Sequence, residues 1–142
     1  MPSVTGLREL INVRGWLHRE PKPVVPRKIL IVDNNTNNRR STARLIESLG
    51  FEVLQTSGIA DALKLLEDQD PEFVLLAFDL ADGSGMEGLS QIRKLDPDLP
   101  VVMLAADLWD TRAADAMRHG AIAYLAKPFD SNDLREVFGR RA

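Results

Sequence analysis

The sequence predicts an α/β domain: a doubly wound, five-stranded parallel sheet with helices on both faces. Three observations carry this. Five short apolar runs alternate with five segments of helical periodicity from Lys28 onward. The runs lack the apolar–polar alternation of a half-solvated strand, so each is buried on both faces, as parallel strands between helices are. Turn and capping residues separate runs from helices, beginning with Asp33-Asn34-Asn35.

In chain order, Ile29-Leu30-Ile31-Val32 is the first strand, and the helix after it turns Thr42, Leu45, Ile46 and Leu49 inward and stops at Gly50. Phe51-Glu52-Val53-Leu54 is the second strand; Ile59, Leu63 and Leu66 mark the second helix. Phe73 to Phe78 is the third strand, apolar throughout, and Ala81-Asp82-Gly83-Ser84-Gly85 leads into a third helix with Met86, Leu89 and Ile92 inward. Val101-Val102-Met103-Leu104 is the fourth strand, and a fourth helix is expected from about Leu108 to His119. Ile122 to Ala126 is the fifth strand, followed by a helix carrying Leu134, Val137 and Phe138. In such sheets a site lies at the carboxyl ends of the strands, so function is sought after Val32, Leu54, Leu76, Leu104 and Ala126.

Residues 1–26 read as an extension to a domain spanning 27–142. Pro21-Lys22-Pro23-Val24-Val25-Pro26 runs extended. Before it, Leu7, Leu10, Ile11, Val13, Trp16 and Leu17 fall mostly on one side of a helical wheel, with Arg14 intruding, an amphipathic helix that packs back on its own domain or frays, or else serves as a docking or dimer helix.

Composition narrows the function classes. With 44% apolar and 27% charged residues and a net charge of −3, the chain has no basic footprint for nucleic acid. The absence of cysteine removes disulfides, thiolate metal sites and a cysteine nucleophile. No apolar run is long enough for a membrane span, and Arg8, Glu9 and Arg14 break any secretory signal, so a cytoplasmic location is expected. The sequence stops at Arg140-Arg141-Ala142 after the fifth helix, so no helix-turn-helix output unit, and no DNA binding, is expected of this chain.

Five segments in register carry a resemblance. KILIVD at 28–33, the loop Asp82-Gly83-Ser84-Gly85-Met86-Glu87, Gly120-Ala121, Tyr124-Leu125 and Lys127-Pro128-Phe129 resemble the receiver domains of two-component response regulators. The resemblance runs from Lys28 to about Phe138 and implies a flavodoxin-like receiver fold with strand order 2-1-3-4-5. Active receivers take a phosphoryl group from a histidine kinase onto an aspartate ending the third strand. Two acids after the first strand hold Mg²⁺, a Ser or Thr after the fourth binds phosphoryl oxygens, and a Lys after the fifth neutralises charge. The logic is that of a carboxylate nucleophile beside a metal, with fixed donors meeting the transferred charge.

Residue by residue, this chain departs from that pattern. Asp33 matches the first acid, but Asn34 stands at the second; Ala77 stands at the acceptor position and Ala105 at the hydroxyl position; Lys127 is retained. One carboxylate beside an amide makes a poor site for a hard cation, so at most weak Mg²⁺ binding at Asp33 is expected, and no cofactor. Asp33 and Lys127 are expected to pair, and Lys127-Pro128 to form a structural cis turn. Asp79 and Asp82 read as solvated loop acids. The smaller Ala105 is expected to leave room for Tyr124 to turn inward permanently.

The resemblance therefore implies a receiver-like signalling module that works without phosphorylation, not an enzyme. It would bind a protein partner (a histidine kinase, another regulator, or itself as a homodimer) through the fourth helix, fifth strand and fifth helix. Trp109 on the fourth helix, Arg112, Tyr124 and Arg135 would form that face. Two other readings are open. Asp79, about 6 to 7 Å beyond Ala77 if the strand continues, could accept phosphate in place of the missing acid. The polar Asn34-Asn35-Thr36-Asn37-Asn38 loop opening a helix could serve a flavodoxin-like cofactor binder.

Overall fold

The computed structural model describes residues 27–139. The amphipathic stretch within residues 1–26 and the closing Arg140-Arg141-Ala142 lie outside the described residues. Strands β1 (Lys28–Val32), β2 (Glu52–Thr56), β3 (Phe73–Ala77), β4 (Val101–Ala105) and β5 (Ala123–Ala126) form one parallel sheet in the order β2-β1-β3-β4-β5. They alternate with α1 (Thr36–Ser48), α2 (Ile59–Gln69), α3 (Gly85–Leu95), α4 (Arg112–Arg118) and α5 (Ser131–Gly139). The expected strand order is the one found. Register is set by the pairs Ile29↔Val53, Ile29↔Phe73, Val74↔Val101 and Val102↔Ala123.

Burial follows the pattern in the sequence. Every residue of β3 and β4 is buried, because each has a neighbouring strand on both sides and a helix layer on both faces. α1 packs with α5 and α2 with α3. Phe138 of α5 closes one layer against Phe73 and Phe51, with ring centroids 5.0 and 5.1 Å away. Edge strand β2 is only partly buried and runs past the expected Leu54 to Thr56.

Helix starts are fixed by local chemistry. The Asn35 side chain caps α1 by accepting the Asn38 N–H at 2.9 Å, and Gly50, at φ +96°, reverses the chain after it. Ser84 and Glu87 form a reciprocal capping box on α3. α2 begins at Gly58, which has no side chain to cap with. Asp82 does this from a distance, accepting the N–H groups of Ile59 and Ala60 at 2.6 and 3.1 Å. Those two bonds, the Ile59 one foremost, hold the Asp82 carboxyl below its ordinary pKa. Asp82 is thus solvent-exposed, as expected from the sequence, and also serves as a structural cap.

Two elements are shorter than the sequence suggests. β3 ends at Ala77, and Asp79–Leu80 instead pairs antiparallel with Gly83–Ser84 in a short hairpin. α4 begins only at Arg112, leaving Leu108 and Trp109 in the β4–α4 loop. The apolar pair imitates the first turn of an amphipathic helix, but both side chains point into solvent.

Gly85 fixes the end of β3. Its N–H donates to the Phe78 carbonyl at 2.8 Å, and a Cβ placed there would run into the Ala77 carbonyl. Backbone cannot yield as a flexible side chain can. Gly85→Ala should therefore lower the unfolding free energy by at least about 2 kcal/mol. Gly139→Ala, where an added Cβ meets nothing within 4 Å, should be neutral or slightly stabilising. Urea unfolding checks both, and equal stabilities would contradict this packing.

Candidate functional site

The carboxyl ends of β1, β3, β4 and β5 surround an open pocket of about 610 Å³, lined by Asp33, Asn34, Ala77, Asp79, Arg112 and Lys127 among others. The sequence-predicted positions at these strand ends are therefore brought together in space.

Asp33 follows β1 directly and is only 3% exposed. A buried carboxylate needs partners, and it has them. Oδ1 accepts the Asn35 N–H at 3.0 Å, and Oδ2 accepts from Lys127 Nζ at 3.4 Å. The Asp33 main chain is held as well: its N–H donates to Thr56 O at 3.0 Å, and its carbonyl accepts from Arg39 Nη1 at 2.8 Å. Lys127 thus turns toward Asp33, as expected once no acid stands at position 77. Its backbone N–H donates to Ala105 O at 3.1 Å, and the Lys127–Pro128 peptide is cis.

Ala77 is buried at the end of β3 and offers the pocket a methyl group and no nucleophile. Asp79 does not continue the strand. It lies in the hairpin, its side chain 88% exposed and 3.7 Å from the Arg112 guanidinium. Asn34 is exposed beside the pocket. These residues do not fit a Mg²⁺ ion. Both Asp33 oxygens are already engaged, Asn34 brings no charge, and among the described residues no three acidic or histidine side chains converge.

The expectation for Tyr124 is overturned: its side chain points outward and is 41% exposed. In register Tyr124 lies beside Met103, while Ala105 pairs with Ala126 two residues further along. Tyr124 therefore stands on edge strand β5 with its side chain partly in solvent. Turned in over the Ala105 methyl, it would have to find a buried hydrogen-bond partner. Tyr124 lines an open groove of about 560 Å³ between α4, β5 and α5, with Leu108 and Met117 on its apolar side and Asp133 and Glu136 on its α5 side.

Of the other residues expected on that face, Trp109 is 85% exposed on the β4–α4 loop, not on a helix. Arg135 is exposed on α5 but bonded to Asn132 at 2.7 Å, outside the groove lining. Arg112 turns away from the groove altogether. Its guanidinium lies 4.5 Å over the Phe78 ring at the mouth of the strand-end pocket. Asp110, a residue the sequence reading passed over, holds it there through both carboxylate oxygens at 3.0 Å. The Arg112 hydrogen bond, ahead of the amides of Ala106 and Arg112, brings the Asp110 pKa down to about 2.

The strand ends of this doubly wound sheet gather a buried Asp, a Lys after the last strand and a polar helix start. The family comparison makes this specific: residues 29–138 match the response regulator receiver domain, and the chain belongs to that family. It is 32% identical over 108 residues to the acid tolerance regulatory protein ActR of Rhizobium meliloti, covering 76% of this chain and 56% of that protein. It is 30% identical to the phosphate regulon transcriptional regulatory protein PhoB of Pseudomonas aeruginosa, covering 78% and 49%. The chain thus spans about half the length of these relatives. Among solved structures it is similar to the receiver domain of NtrX from Brucella abortus, with a TM-score of 0.74, 32% identity, and 79% and 95% of the two chains covered. A CheY-like receiver domain protein from Methanospirillum hungatei gives a TM-score of 0.74 at 28% identity, covering 82% and 94%.

Two outcomes test this geometry. Lys127→Met leaves the Asp33 carboxylate buried with one hydrogen bond and no counter-charge. It should destabilise by on the order of 1–3 kcal/mol, and adding Asp33→Asn should recover part of that in chemical denaturation. No loss on Lys127→Met would show the pair to be solvated. The second outcome is pH dependence. The folded pKa of Asp110, about 2, lies below the ordinary 3.8. Its contribution is therefore complete above about pH 4 and is lost as the pH falls toward 2. Wild-type stability should fall more steeply across that window than that of Asp110→Asn, and parallel curves would contradict the contact.

Proposed function

We propose that this receiver domain acts as a phosphorylation-independent signalling module, binding a protein partner rather than catalysing a reaction. The observation that carries this reading is the buried Ala77 methyl at the end of β3. Phosphoryl transfer needs a carboxylate nucleophile there, with a metal beside it to screen charge, and Asp33 has both oxygens committed elsewhere. Ala105 also brings no hydroxyl to meet a phosphoryl oxygen. The surface that would bind the partner is the groove between α4, β5 and α5 with the adjoining loop tip. Leu108, Trp109, Met117 and Tyr124 expose apolar area there. The partner's class follows from the family: a histidine kinase, another regulator, or a second copy of the domain.

The test is direct. Incubation with acetyl phosphate and Mg²⁺ should leave the intact mass unchanged, and partner binding should be insensitive to that treatment while weakening on Trp109→Ala. A phosphoryl adduct mapped to Asp79 or Asp82 would overturn the reading in favour of an unconventional acceptor.

A further inference from the structure

The segment ahead of β1 differs in charge from the domain it leads into. Residues 1–26 hold four Arg or Lys and two Glu, whereas residues 27–139 hold 12 basic and 19 acidic residues. Within the segment, Leu7, Leu10, Ile11, Val13, Trp16 and Leu17 recur at helical spacing. A helix this short is marginal in water unless its apolar side packs on something.

The domain offers a complementary surface close to where that segment joins. An open groove of about 670 Å³ runs between α2 and α3, lined by Leu63, Glu67, Gln91, Lys94 and Leu95, the last of them 45% exposed. Arg27, the first described residue, shares a hollow with Asp96 and Asp98, directly after Leu95. Glu67, Asp68, Asp70, Glu72, Asp96 and Asp98 are all exposed around this end of α2 and α3. The groove between α4, β5 and α5 is less well placed. β5 stands three strands from β1, about 14 Å across the sheet, and Lys127 lines that groove beside its acids.

We propose that residues 7–17 of this same chain form a helix that docks, apolar side inward, in the α2–α3 groove. Arg19 and Lys22, nearest to Arg27, are then set against Asp96 and Asp98. The lengths agree: residues 7–17 number 11, as do α2 and α3, and each such helix spans about 16 Å. Pro21 to Pro26 spans about 19 Å when extended, enough to lead from the start of β1 to the groove. Tethering gives the segment an effective concentration of millimolar order, so a contact too small to hold a separate partner suffices. The docked helix leaves the α4–β5–α5 surface open, and the inference does not rest on the phosphorylation-independent reading.

The chain contains no cysteine, so one introduced cysteine carries a nitroxide label at a single place in the full-length protein. Lys64→Cys puts the label on the exposed side of α2 beside the groove; Arg135→Cys puts it on α5, which packs with α1. In isotopically labelled protein the Leu10 and Ile11 amides should lose most of their intensity with the label at position 64 and keep it with the label at 135. Leu95→Lys and, separately, Glu67→Lys at its exposed site should restore that intensity while the signals of residues 27–139 stay dispersed. When isotope-labelled chains without nitroxide are mixed with unlabelled chains carrying it at 64, the loss should vanish, because the contact lies within one chain. Loss of intensity from position 135, from neither position, or persisting in the mixture (the mark of a second copy) would overturn the proposal. Loss unrelieved in both groove variants would overturn it too. None of these readouts involves phosphate or a partner. Failure here leaves the functional reading standing, and a phosphoryl adduct in the acetyl phosphate test leaves this one standing.

Discussion

A carboxylate almost fully removed from water at the end of β1 is the constraint around which the site is arranged. Asp33 follows β1, between β2 and β3, and its side chain is buried. Removing a charge from water costs several kcal/mol unless it is paired and hydrogen-bonded. The Asn35 amide and the Lys127 ammonium supply that compensation from opposite sides, one from the start of α1 and one from the turn after β5. The pair thus joins residues 94 positions apart and ties the edge strand β5 to the centre of the sheet. Lys127 has a structural reason to be a lysine whether or not any phosphoryl group ever enters the pocket.

Position 77 bears on the same balance. An acid there would be a second buried carboxylate near Asp33, and each would raise the cost of ionising the other. With Ala77 the pocket holds one buried acid, Asp33, with Lys127 as its partner, and the methyl group packs where a charge would need solvation. The acid missing at position 77 therefore leaves Asp33 as the buried counter-charge that Lys127 meets. Gly85 belongs to the same arrangement, since its missing Cβ lets the start of α3 close against the Ala77 and Phe78 backbone.

The parts of the fold legible in the sequence were those decided by burial. β1, β3 and β4 are continuous apolar runs and were found nearly to the residue, because central strands have both faces covered. The Asp33–Lys127 contact followed from charge accounting at the strand ends. What stayed illegible depended on which way a side chain turns. Leu108 and Trp109 satisfied a helical period yet lie on an exposed loop, because apolar spacing cannot reveal whether a surface exists for it to pack on. Tyr124 was judged against Ala105, but the register sets it beside Met103. Asp82 has no signature in local sequence, because its partners are amides of α2, 22 and 23 residues away; Asp110 has its partners within four residues, at Ala106 and Arg112, in a stretch that apolar spacing marks as helix and that folds as a loop.

Arg112 shows how one such orientation changes a functional reading. Pointing outward from α4 it would belong to the docking face, adding positive charge beside Tyr124. Folded back over Phe78 it belongs to the pocket, and the groove is left with apolar residues, Lys127 and the α5 acids Asp133 and Glu136. The electrostatic character of the face is therefore decided by a contact on the far side of α4. Aromatic stacking and a bidentate carboxylate hold that guanidinium together, and neither depends on the chemistry that the pocket lacks.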